Sequence, residues 1–151
     1  MNIDFDKNIT NISFALGNDG VHATVLNVTF ENFGDLTKIK LYVGVSFPEN
    51  SNDQSYKREF FRTALDLEKM SSGVYGNSIV EMITRNIFKT SNITMPLKKG
   101  HFGFWNFSFP DNFLPSGSPS KACIKIRVVG KFKNKKTSFV ASVWEIFIKR
   151  V

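Results

Sequence analysis

The side chains able to do acid–base, nucleophilic or metal chemistry are few in this chain, and their spacing builds no reactive constellation. There are two histidines and one cysteine in 151 residues. His22 falls in an expected strand and His101 in a turn ahead of an aromatic strand. Neither has a second histidine at a ligand spacing such as His-Glu-x-x-His. No Gly-x-Ser-x-Gly elbow occurs, and Ser116-Gly117-Ser118-Pro119 lacks the Gly-Lys-Ser/Thr that would make it a phosphate loop. Cys123 reads as a buried, inert thiol, because nothing nearby in sequence would hold it as a thiolate. Asp66 and Glu68 do not read as a paired acid and base. Enzymatic activity is therefore not expected, and neither is a metal or cofactor.

The other chemistry available is burial of apolar surface. From Asn92 to Gly117 the chain reads Asn-Ile-Thr-Met-Pro-Leu-Lys-Lys-Gly-His-Phe-Gly-Phe-Trp-Asn-Phe-Ser-Phe-Pro-Asp-Asn-Phe-Leu-Pro-Ser-Gly. Aromatic residues are packed between two Pro/Gly-rich breaks, which suits a strand facing a sandwich core or a hydrophobic pocket. The chain also carries Asn-x-Ser/Thr sequons at Asn8, Asn11, Asn27, Asn92 and Asn106. These acceptors point to a secreted glycoprotein. A single cysteine forbids an intrachain disulfide and leans towards a reducing compartment.

The elements that must position such a core are mostly strands. Ile12, Phe14 and Leu16 alternate, Asn18-Asp19-Gly20 supplies a turn, and Leu26, Val28 and Phe30 alternate on the return, which predicts a hairpin. Ile39, Leu41, Val43, Val45 and Phe47 alternate strictly, with Lys38, Lys40 and Tyr42 on the opposite face. Pro48 to Gln54 reads as a polar loop. Tyr56 to Leu67 reads as another strand, with Phe61, Thr63, Leu65 and Leu67 on one face. The period then changes: Ile79, Met82, Ile83 and Ile87 recur at helical spacing, capped by Asn77 or Ser78, with Glu81 early and Lys89 late. One helix is expected near Asn77–Phe88, docked on a sheet as core packing or as a lid. Two strands close the chain. Ile124, Ile126 and Val128 alternate in the first. The second, from Phe139 to Ile148, is apolar on both faces: Trp144, Ile146 and Ile148 on one, Phe139, Ala141, Val143 and Phe147 on the other. A basic turn, Lys133-Asn134-Lys135-Lys136, joins them. The sum is an all-β fold: one domain over residues 1–151, an immunoglobulin-like antiparallel sandwich of about seven or eight strands with one short helix.

Size and composition agree. A chain of this length buries about 68–70% of its unfolded surface and needs no staple. With 42% hydrophobic residues and 16 phenylalanines it is no disordered tail. No apolar run reaches the roughly 18 residues of a membrane span, so no transmembrane segment is expected. The first residues, Met-Asn-Ile-Asp-Phe-Asp-Lys, contain no apolar leader core. No signal peptide is expected within this chain, and the sequons then imply a mature domain or a start further upstream. The net charge of +7 is lopsided, since beyond residue 75 the only acids are Glu81, Asp111 and Glu145. Such asymmetry suits an anionic surface, or simply solvated turns and outer strand faces. Nucleic acid is not an expected partner, because the strand that holds Phe102, Phe104 and Trp105 carries no cation.

Taken in order, Arg62–Met70, Asn77–Phe88 and Ser91–Val129 resemble an insect family of small secreted proteins of largely unassigned function. That family is related to the Che chemosensory proteins and, more distantly, to the ganglioside activator and the ML lipid-recognition superfamily. The resemblance rests on the acidic strand end at Asp66, the helix, Ser91-Asn92, the turn of Pro96, Leu97 and Gly100, the aromatic strand Phe102–Phe109, then Phe113-Leu114-Pro115 with Gly117 and two closing strands. It implies a secreted ML-like sandwich with a hydrophobic cavity between its sheets, and non-enzymatic binding of a lipid or similar molecule, in some members linked to pheromone sensing. A cell-surface receptor is an implied partner. The chain departs from the pattern where such proteins carry two cysteines: Met95 stands at one position, and the other falls near Leu67–Met70. Ala122 and Cys123 stand where the strand after the turn usually has an aromatic.

On this reading the pocket is lined by Leu41, Val43, Phe61, Leu65, Ile83, Phe102, Phe104, Ile126 and Trp144, and Lys98 and Lys99 meet an anionic headgroup. Each buried apolar side chain contributes roughly 1.5–3 kcal/mol, so a chain-like ligand needs no decisive polar contact. The alternative is an interaction module with a closed core that uses its surface.

Overall fold

A computed structural model describes residues 1–18, 20, 24–50, 52, 54–73, 78–110 and 113–149, with only the backbone of residue 79. His22, Asp19 of the first turn, the cap candidate Asn77, Asp111 and the side chain of Ile79 lie outside the described residues, as does part of the Pro48–Gln54 loop.

Eight strands form two antiparallel sheets. One holds β1 (Asn2–Phe5), β8 (Phe139–Lys149), β7 (Lys121–Phe132), β4 (Leu36–Phe47) and β5 (Arg58–Asp66), in that order. The other holds β2 (Thr10–Gly17), β3 (Val25–Asn32) and β6 (Gly100–Phe107). The expected hairpin is present, with Ile12 opposite Phe30 and Leu16 opposite Leu26. The strongly alternating segment became β4, held between β5 and β7. β1 was not foreseen: four residues are too few for their alternation to stand out.

Three of the four register shifts in the described strands bear on which side chains enter the core. In β4, Lys38 adopts φ 52° and the pairing with β7 skips between Thr37 and Lys40, so Leu36 and Ile39 both reach the same buried cluster. In β6, Phe104 pairs with Val28 and Phe107 with Leu26. Trp105 and Asn106, the latter at φ 54°, are the extra residues, so Phe104 and Phe107 both pack inwards. In β8, Ser142 faces Val128 and Val140 faces Val129, which leaves Ala141 unopposed. This bulge explains a strand apolar on both faces: bulges change which face a side chain takes. Phe139 and Ala141 join one core cluster, while Ile146 and Ile148 join another beyond the shift.

Two helices follow β5. Where the strand was expected to run on to Leu67, Asp66 instead caps a short helix, α1 (Leu67–Ser71). Its carboxylate accepts from the Glu68 and Lys69 backbone N–H groups, satisfying donors that a helix start leaves free. The expected helix is α2 (Ser78–Lys89), with Glu81 in its first turn and Lys89 in its last. The chain leaving α2 is tied to β6: Thr90 accepts from the Trp105 N–H, and the Asn92 N–H donates to Gly103. That pairing covers the free edge of β6.

Candidate hydrophobic cavity

Buried clusters pack between the two sheets, and an apolar cavity lies beside them. At one end Val45, Phe47, Phe113, Leu114, Ala122 and Ile124 form a buried cluster. At the other, Ile9, Leu36, Ile39, Leu97 and Ala141 form a second. Along β4 the inward residues Ile39 and Val45 are 3% and 5% exposed, yet Leu41 and Val43 between them remain half-buried. Ile126 and Val128 behave likewise in β7, next to a closed Ile124. Inward residues in the middle of central strands stay accessible only if nothing fills the space they face. A cavity of about 230 Å³ lies there.

Its walls are almost wholly apolar. β4 and β5 supply Leu41, Val43 and Leu65; β7 and β8 supply Ile126, Val128, Trp144 and Ile146; β3 and β6 supply Leu26, Phe30, Phe104 and Phe107. α2 closes one side with Val80, Ile83, Thr84, Ile87 and Phe88, and α1 contributes Met70. The facing stripe of α2 therefore runs through Val80, Ile83, Thr84 and Ile87, one step round from the expected stripe through Met82. The volume is below the roughly 300–1,000 Å³ of pockets for drug-sized ligands. It exceeds the roughly 150 Å³ at which an apolar cavity stays dry and takes up benzene.

Of the nine residues expected to line a pocket, Leu41, Val43, Leu65, Ile83, Phe104, Ile126 and Trp144 do so. Phe61 and Phe102 are not among the lining residues. Phe61 packs against the Val45 and Leu65 clusters. Phe102 stacks on Phe30 at 5.7 Å between ring centroids and packs against the Ile9–Leu97 cluster. Alternation placed them on the apolar face; only the two sheets together show which residues of that face border the cavity. The residues missed include those on β3, most of the α2 stripe, Val128 and Ile146, and the polar ones, Thr10, Asn32, Thr84 and Ser142. Thr10 and Ser142 are satisfied within the wall, since Thr10 Oγ1 donates to the Glu31 carbonyl and Trp144 Nε1 donates to Ser142 Oγ.

On β2 the inner face runs past the cavity into solvent. Phe14 and Leu16 share the face of the wall residue Ile12, yet are 41% and 57% exposed. Among the described residues no helix covers this edge, in contrast to the α2 side.

Lys98 and Lys99 are exposed and do not line the cavity, though their neighbour Leu97 does. Tertiary structure adds to them. Asp35 accepts the Lys99 N–H on its carboxylate and the Lys133 N–H on its carbonyl. This brings the basic turn of Lys133, Lys135 and Lys136 beside Lys98 and Lys99. Gly34 makes the approach possible, as a Cβ there would stand 2.7 Å from the Phe132 ring.

Four sequon asparagines, Asn8, Asn11, Asn92 and Asn106, are exposed. Asn27 is half-buried, and its side-chain oxygen accepts from the Asn106 N–H. Asn92 Oδ1 accepts from the Gly103 N–H at 2.7 Å. Cys123 is buried in β7, and burial raises its pKa above the ordinary thiol value. Among the described residues no group of three or more His, Cys, Asp or Glu could hold a metal ion, and no helix is long and apolar enough to cross a membrane.

No protein-family model, curated protein or solved structure matches this chain.

Proposed function

We propose that this chain is a non-enzymatic binder of a lipid or another hydrophobic small molecule, held between its two sheets. One observation carries the reading: an apolar cavity of about 230 Å³ lies between the two sheets, bounded at its ends by packed clusters. Transfer of apolar surface into such a space is favourable by about 25 cal/mol per Å². The narrow volume favours a slender ligand, such as one alkyl chain, over a bulky ring system.

The resemblance to the secreted, ganglioside-activator-like proteins extends this reading to an extracellular, glycosylated carrier with a chemosensory role and a cell-surface receptor. Two features fit it. Four of the five sequons are exposed. Met95, at one of the positions where that family would place a cysteine, packs against the Ile9–Leu97 cluster, as does Leu67 in the Leu67–Met70 segment near which the other falls.

The test is uptake. Protein from secretory cells is examined by native mass spectrometry and titrated with a fluorescent fatty acid. A co-purified lipid or saturable uptake supports the proposal. Neither, together with unchanged fluorescence on adding excess unlabelled fatty acid, overturns it in favour of a surface interaction module. A glycosidase mass shift on the same sample tests the sequons.

A further inference from the structure

We infer that the cavity holds an oxygen-bearing amphiphile rather than a pure hydrocarbon, and that Asn32 anchors it by donating a hydrogen bond to the ligand's oxygen. The inference rests on the cavity being a ligand site and names the class of ligand. Asn32 ends β3, on the same face as the wall residues Leu26 and Phe30. It is 2% exposed and lines the cavity. Its amide nitrogen Nδ2 is buried with no hydrogen-bond partner.

A buried amide donor without a partner is costly, and native proteins pair nearly all such groups. Here the neighbouring polar wall groups of Thr10 and Ser142 already have their own partners. An unpaired donor on the wall of an apolar cavity matches the general form of a ligand site: apolar walls with a few placed polar groups that fix orientation. The complementary group is an acceptor, which a carboxylate, ester carbonyl or hydroxyl oxygen supplies and an alkane does not.

The position also orients the ligand. Asn32 pairs with Thr10 on one side and Gly100 on the other. This is the end of the sandwich where Leu97 lines the cavity and where Lys98, Lys99 and the Lys133–Lys136 turn gather. The oxygenated head belongs at this end, and the alkyl tail runs beneath α2 towards Ile83 and Phe107. The lysines favour a carboxylate over a neutral head.

The experiment compares decanoate, 1-decanol and decane by displacement of a polarity-sensitive naphthylamine probe, in the full chain and in Asn32→Leu. In the wild type the two oxygenated ligands are expected to bind up to about tenfold tighter than decane, the worth of one buried hydrogen bond. Asn32→Leu should remove that advantage and leave decane unchanged. In the wild type the Asn32 side-chain NH₂ resonances should shift on adding decanol, a readout that does not depend on the variant folding. Binding of all three ligands with equal affinity and no shift of those resonances overturns the role of Asn32 while leaving the cavity as a ligand site. Binding of none overturns both. Decanoate above decanol, with the gap closed in Lys98→Gln/Lys99→Gln, marks an acidic head; equal affinities mark a neutral one, and either supports the anchor.

Discussion

The ends of this sandwich and its middle are built from the same kinds of residue and behave differently. Val45, Phe47 and Ala122 at one end, and Ile9 at the other, are buried and do not border the cavity. Leu41, Val43, Ile126 and Val128, on the strands of the first three and the same face, look into empty space. The difference is in what stands opposite. At one end Phe113 and Leu114 fill the gap between the sheets; at the other Leu97 packs in the Ile9 cluster and borders the cavity. In the middle the facing sheet has only three strands, and α2 fills the remaining side without reaching across. A hydrophobic strand face is thus a core or a pocket according to its partner.

Truncation should separate the two regions most clearly. Phe47→Ala removes a packed ring and is expected to cost about 3–5 kcal/mol, whereas Ile126→Ala, whose side chain already borders a void, should cost about 2 kcal/mol, the low end for such changes. Urea midpoints measure both, and equal losses would break the comparison. Insertion should run the other way. Val45→Phe overpacks a closed layer and is expected to cost about 1–3 kcal/mol. Val43→Phe grows into the cavity, so its stability should change by well under about 1 kcal/mol, while uptake of the fluorescent fatty acid falls. Loss of stability without loss of uptake in Val43→Phe would show that the space is not where the ligand goes.

Away from both regions, Asp66→Ala removes the cap of α1 and is expected to lower stability by about 1 kcal/mol, read as a drop in melting temperature. The smallest effect belongs to the exposed Arg85–Glu81 pair on α2, 2.9 Å apart. Arg85→Ala should move stability by no more than about 0.5 kcal/mol. A larger loss would mean that α2 is held by its outer face and not by the cavity wall.

Much of the frame was legible because its signals are local. Strict alternation marked β4 and β7, the Gly20 turn marked the first hairpin, and a change of period marked α2. The misreadings arose where a local signal was ambiguous or weak. Alternation carried β5 on to Leu67 because Asp66 is a plausible strand residue, although its carboxylate is better used as a cap. Of the expected stripe, Ile83 and Ile87 face the cavity, but helical spacing does not say which neighbours join them, and Val80 and Thr84 do so where Met82 does not. The two-faced β8 could not be resolved from sequence, since a one-residue bulge at Ala141 leaves no mark of its own.

For the site, sequence reading found seven wall residues by face alone. It set Phe61 and Phe102 among them because face says nothing of position between layers. It passed over Asn32 because an asparagine at a strand end reads as a turn residue. Nothing in its neighbours shows that its amide is buried and unpartnered.

By itself, then, the sequence determined the class of fold and the absence of reactive clusters from its recognisable motifs. It also determined which faces are apolar, because periodicity and turn chemistry act within a few residues. Only the tertiary structure decided that an apolar cavity lies between the sheets, that Asp35 gathers two lysine turns at one end, and that Asn32 Nδ2 is buried without a partner. Those are relations between segments distant in sequence, set by how three strands and a helix cover five, and no local pattern encodes the gap they leave.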